Sequence, residues 1–149
     1  VEWTEAFERD TSFKIPDAYV EMLDKFRARV RVLMDKVRAF GAVPVLVTQP
    51  IASYRFKDGK VLVPRNKNGE AMTDGYIRIM IYNAAIMGEC ITAKAICLDL
   101  ASKVTFEVMD FYDGIHMTPE GNKKVGNFLF EKLRDTAFTT LASDSKDAQ

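Results

Sequence analysis

Two short runs, Val43 to Val47 (VPVLV) and Ala95 to Leu100 (AICLDL), are apolar at almost every consecutive position. Because successive strand residues point to opposite faces, such runs must be covered on both sides, as strands of a parallel sheet are when helices lie above and below it. Each run follows a stretch of helical period. From Asp17 to Phe40, apolar Tyr19, Leu23, Phe26, Val30, Leu33, Val37 and Phe40 recur every three or four residues, with charged residues on the other faces. This predicts an amphipathic helix, with Pro16 and Gly41 as its punctuation. Tyr76 to Met87 repeats the pattern, and Asn83 interrupts its apolar face either as a buried amide bonding backbone or as a polar contact near a site. A last helix is expected from Thr118 to about Phe138, burying Val125, Phe128, Leu129 and Leu133. The alternation of helix and strand predicts α/β layering around a parallel sheet.

Other segments are less regular. Residues 1 to 16 show no sustained period and are read as a loop with one helical turn at most, Trp3 and Phe7 serving as packing anchors. Residues 51 to 75 form a long connection in which Asp58-Gly59 predicts a hairpin turn. Arg55, Lys57, Lys60, Arg65 and Lys67 make that connection basic, a solvated surface or a mild preference for an anionic or sugar-rich substrate. Residues 139 to 149 are expected to fray.

The chain has 149 residues, and its 21 basic and 21 acidic side chains cancel. That suits one domain and gives no electrostatic motive for nucleic acid or an anionic membrane. No apolar run reaches the length of a membrane span. Cys90 and Cys97 lack metal-site spacing; the two could pair, but they are read as free, buried, small hydrophobes, leaving the compartment open between secreted or periplasmic and cytoplasmic. No metal or cofactor site is expected. Two buried strands need more neighbours than this chain offers, so the sheet is expected to be incomplete here, and a chain opening on Val1 fits a portion of a longer one.

The chemistry concentrates in MDFYDGIHMTPEGN, Met109 to Asn122, which holds the only histidine, His116. Thr118 is a suitable N-cap, Pro119 suits the first helical position, and Glu120 places negative charge in the first turn. His116 therefore lies on a loop entering a helix. Asp113, three residues before it, is placed to accept from one ring nitrogen and leave the other facing outward, the arrangement of a base with its orienting carboxylate. Asp110 is the competing carboxylate. The plain alternatives are a histidine that caps or packs, and an Asx turn at Asp113-Gly114.

The D-G-I-H-M-T-P-E-G-N run, the helix behind it and the P-V-L-V-T-Q-P strand end together resemble the C-terminal portion of the SGNH/GDSL hydrolases, a family of serine esterases and lipases. The resemblance covers about residues 17 to 138. It implies a three-layer α/β/α flavodoxin-like sandwich with a parallel sheet, of which residues 1–149 would be the C-terminal portion of a single domain. It also implies ester hydrolysis by acyl transfer, with His116 as general base and Asp113 orienting it. Gln49 and Pro50 at the strand end, and Ile115 beside the histidine, would then meet a small-molecule, carbohydrate or lipid ester. The family's G-D-S and G-x-N-D blocks are absent. None of Ser12, Ser53, Ser102, Ser143 or Ser145 stands in the nucleophile's context, so the serine is expected from an upstream segment or a second chain. The rival reading is a non-catalytic binding or assembly subunit with the same architecture. A flavodoxin-like nucleotide or phosphate binder has little support, since no Gly-rich loop precedes a helix.

Overall fold

The computed structural model describes residues 1–144 in backbone and 1–134 in side-chain surroundings. The chain is mixed α/β. Helix α1 (Asp17–Ala39) leads into strand β2 (Val45–Val47), and helix α2 (Asp74–Thr92) leads into β5 (Ile96–Leu98). β2 and β5 pair in parallel, Val45 opposite Ile96 and Val47 opposite Leu98. A second, antiparallel sheet has the order β1 (Trp3–Glu8), β4 (Lys60–Pro64), β3 (Arg55–Lys57). Its β3–β4 hairpin turns at Asp58 and Gly59, both with positive φ, as the Asp-Gly pair anticipates.

Residues 1 to 16, expected to be a loop, instead contain β1. The alternation that marks a strand is interrupted there by a register shift between Glu5 and Phe7, so Ala6 and Phe7 are both partly buried in succession. Phe7 and Phe13 pack with Tyr76, ring centroids 5.8 Å apart in each case, over a core of Tyr54, Phe56, Val61 and Val63. Trp3 instead lies beneath the Arg55 guanidinium, 4.5 Å from its ring centre.

A second cluster binds the parallel sheet to helix α4 (Pro119–Asp144): Leu98, Leu100, Phe106, Phe111 and Phe128 are all buried, with Val47 and Ile96 against them. A third joins α1 to α2 through Leu23, Ile81 and Ala85, with Phe26 and Tyr82 edge to face at 4.9 Å. A four-residue helix α3 (Leu100–Lys103) and a 3-10 turn (Val108–Asp110) connect β5 to the histidine loop. Of the tail expected to fray, residues up to Asp144 continue α4, and 145–149 lie outside the described residues.

The cysteines are not free. Cys90 at the end of α2 and Cys97 in β5 form a disulfide, their Cα atoms 5.8 Å apart. The bond is possible because Lys94, with φ of 52°, turns the chain back between helix and strand. The same turn is held by Ala95 N–H donating to the Cys90 carbonyl at 3.1 Å, and Arg38 of α1 donates to the Ala93 carbonyl.

Candidate functional site

The loop carrying the histidine is built on both sides before the side chains meet. Phe111 and Met117 form an isolated antiparallel bridge, and Tyr112 N–H donates to the His116 carbonyl at 2.8 Å. Phe111 is buried among Leu98, Phe106 and Phe128, so packing fixes the loop's base while Tyr112 through His116 stand exposed. Within the loop, Asp113 Oδ1 accepts from the Ile115 and His116 amides, both at 2.8 Å. That is the Asx-type turn the Asp-Gly pair favours. The other carboxylate oxygen, Oδ2, lies 2.6 Å from His116 Nδ1. One carboxylate therefore shapes the turn and contacts the imidazole at once.

The His116 amide is the largest influence on the Asp113 carboxyl, followed by the Ile115 amide and the imidazole, and together they hold it far below the ordinary carboxylate range. Asp113 is consequently an anion at every pH where an imidazole changes charge. By linkage, whatever this carboxylate adds to the turn is present above the ordinary aspartate pKa and is lost only as pH falls through the depressed one. With Nδ1 engaged, His116 Nε2 has no partner among the described residues, and the side chain is 72% exposed.

Behind the loop, helix α4 begins at Pro119, and Gly121 N–H donates to Thr118 Oγ1 at 3.3 Å, the expected N-cap contact. Asp110, the competing carboxylate, is 3% exposed and occupied elsewhere. It accepts from the Glu107 amide at 2.7 Å and from Lys124 Nζ at 2.6 Å, while its carbonyl receives the Thr118 amide at 2.9 Å. It braces the helix entry and makes no hydrogen bond to His116. Gly121 passes so close to that carbonyl that a β-carbon there would collide with it.

The end of β2 reaches the same edge. Thr48, 1% exposed, donates to Asp99 Oδ1 at 2.9 Å and accepts from the Ala101 amide at 2.9 Å, joining the ends of β2 and β5. Asn83 of α2 fastens the next residue: its Oδ1 accepts from Gln49 N–H and its Nδ2 donates to the Gln49 carbonyl, each at 2.9 Å. The chain then crosses to the histidine loop, where Ala52 N–H donates to the Gly114 carbonyl at 3.0 Å. The strand end and the Asp113–His116 loop are thus tied backbone to backbone. Of the residues expected to meet substrate, Gln49 and Ile115 are exposed and Pro50 is buried. None hydrogen-bonds His116. Thr48 and Asp99 were not singled out as a pair by sequence, although a polar residue directly after the first apolar run and another near the end of the second were the available signal.

The serines whose surroundings are described stand apart, and Ser143 and Ser145 lie outside those residues. Ser53 Oγ is shut from solvent without a partner and faces Gly75, where an added β-carbon would come within 2.6 Å of it. Ser102 Oγ donates to Asp99 Oδ2. No serine hydroxyl reaches His116 among the described residues, nor do three or more His, Cys, Asp or Glu side chains gather there as a metal site. Three of the five basic side chains of the connection are paired with carboxylates from other segments: Arg55 with Glu107 at 3.3 Å, Arg65 with Glu2 at 3.6 Å, and Lys60 with Glu8.

Fold and site together define a mixed α/β chain carrying an exposed, pre-oriented Asp–His pair at the end of a small parallel sheet. No family model, no curated protein and no solved structure matches this chain. No described helix is long and apolar enough to cross a membrane.

Proposed function

We propose that this chain is the part of an SGNH-type serine ester hydrolase that carries the base and its orienting carboxylate, the nucleophilic serine being supplied from outside this segment. The supporting observation is the Asp113–His116 contact at 2.6 Å, with Nε2 left facing solvent. In this reading Nε2 takes the serine proton as the hydroxyl attacks the ester carbonyl. Asp113 steadies the imidazolium that results, and His116 returns the proton to the leaving alkoxide. Water then resolves the acyl-enzyme by the same base. No cofactor enters this chemistry, and the substrate would be a small-molecule, carbohydrate or lipid ester.

The parallel pair β2–β5 would belong to a larger three-layer, flavodoxin-like sheet, completed by an upstream segment or a second chain. A disulfide persists best in an oxidising compartment, which favours a secreted or periplasmic setting. The rival reading is a binding or assembly subunit without catalysis, and the burial of the Ser53 hydroxyl and the bonding of Ser102 to Asp99 support it. A fluorophosphonate probe, which labels activated serines, separates the two on the complete gene product. Labelling that disappears in the His116→Ala variant is expected, and a product that never labels would favour the binding subunit.

A further inference from the structure

Beside the contact of α1 with α2 lies a cavity of about 270 Å³, and three pieces of this chain enclose it. One wall is α2, where Ala84 and Ala85 follow Met80 and Ile81 by one turn, so the helix surface recedes behind the longer side chains. Facing it are Arg27 of α1 and, from the connection between β1 and α1, Phe13 and Ile15. Packing already fixes these walls. Phe13 meets Phe7 edge to face at 4.9 Å and Tyr76 at 5.8 Å, and Ile15 packs against the cluster of Leu23, Ile81 and Ala85.

Most of the lining is apolar, so water inside finds few partners. The polar exceptions are the hydroxyls of Thr11 and Ser12, neither of which makes a hydrogen bond among the described residues, and the Arg27 guanidinium. Arg27 is the one cation among the lining residues, and its side chain is 35% exposed. It touches a single carboxylate, Asp24, at 3.5 Å, and that carboxylate is itself 66% exposed. A pair of this kind contributes little in water and leaves most of the guanidinium's donors unused.

Size and charge together select the occupant. A water-sized group takes up about 30 Å³, so the space admits a short hydrocarbon chain, whereas a helix with its side chains is about 10 Å across and stays outside. One guanidinium at the border of an apolar space matches one carboxylate, whose two oxygens accept from its planar edge. Phosphate or sulfate finds no second cation in the lining and no use for the apolar walls. A neutral alcohol of the same length fills the walls and forgoes the charge.

We infer that this cavity binds a medium-chain aliphatic carboxylate, its chain among Phe13, Ile15, Met80, Ile81 and Ala85 and its carboxylate on Arg27. None of these residues belongs to the Asp113–His116 loop, so the site is independent of the ester-hydrolase reading, and its readout is binding instead of hydrolysis. Titration of the protein with sodium octanoate, followed by NMR, is expected to give saturable shifts at Met80, Ile81, Ala84 and Ala85. Affinity should fall about fourfold for each methylene removed, as hexanoate will show. Octanol, with the same chain and no charge, should bind about tenfold more weakly or less. Arg27→Gln should erase the difference between octanoate and octanol. Ala84→Leu, a longer side chain at an exposed helical position, should occupy the space and abolish binding of both, with unchanged Val61 and Phe128 resonances showing that the fold is intact. Absence of saturable shifts with octanoate would overturn the inference. So would equal affinity for octanoate and octanol in the unaltered protein, or undiminished binding by the Ala84→Leu variant.

Discussion

Asn83 binds Gln49 through both backbone groups at once, with N–H and carbonyl each 2.9 Å from the amide of that one side chain. A side chain here takes the place of a neighbouring strand, and it holds the point where β2 gives way to the loop bonded to Gly114. Asn83 is 4% exposed, so the contact is shielded from water. Asn83→Ala should cost about 2 kcal/mol or more, from two lost hydrogen bonds and backbone groups left without partners. Asn83→Asp should do no better, since a carboxylate cannot donate to the Gln49 carbonyl. Urea unfolding of the three proteins measures both effects.

Much of this arrangement was legible in sequence, for reasons that differ by residue. VPVLV and AICLDL announced a parallel pair because neither run shows polar alternation, but within the two strands the expected burial on both faces holds only for Leu98, with Val45 exposed and Leu46, Val47, Ile96 and Cys97 partly buried. Asp113 and His116 lie three apart, so a local turn suffices to bring them together. Asn83 stood out as the polar break in an apolar face, with bonding to backbone as one of its two readings. What was hidden depended on distant or irregular geometry. β1 was concealed by the bulge between Glu5 and Phe7. The disulfide needed the left-handed turn at Lys94, and the bracing role of Asp110 needed Lys124, nearly two helix turns beyond the cap.

Gly121 tests how firmly the histidine loop is seated on α4. A β-carbon at this position would strike the Asp110 carbonyl, which is backbone and cannot swing aside. Gly121→Ala should cost about 1–3 kcal/mol and shift the Tyr112 to Thr118 amide resonances. Gly126, in the same helix with open space around it, is the control. Gly126→Ala should be neutral or stabilise by up to about 1 kcal/mol through helix propensity. Thermal unfolding and amide spectra read both.

Reduction of the Cys90–Cys97 bond releases a short loop that joins the end of α2 to β5. Loop-closure entropy for so short a ring sets the loss at about 2.5 kcal/mol. A Cys90→Ala/Cys97→Ala variant should match the reduced protein in denaturant unfolding, and neither should respond further to dithiothreitol.

The two buried tyrosines should behave alike in alkali and differently at neutral pH. Burial pushes the Tyr54 hydroxyl well above its usual range, and the same cause raises Tyr76. Both are therefore favoured neutral in the fold, so stability is full below the unfolded-state tyrosine pKa of about 10 and falls as pH rises beyond it. Tyr54→Phe and Tyr76→Phe should each lessen that alkaline loss. At neutral pH they diverge. Tyr54 Oη donates to the Ala101 carbonyl, whereas Tyr76 Oη is buried without a partner, so only Tyr76→Phe should be neutral or stabilising. Unfolding at pH 7 and above pH 10, with tyrosinate absorbance, checks the pattern.

The most direct test of the Asp113–His116 pair is hydrolysis of a short-chain aryl ester by the complete gene product. His116→Ala should lower kcat/KM by about 10³-fold or more, and Asp113→Asn should also impair it severely by removing the carboxylate that orients the imidazole. The loss should appear mainly in kcat while the folded core stays unchanged. Equal turnover by the unaltered protein and the His116→Ala variant, or no turnover by either, would contradict the account.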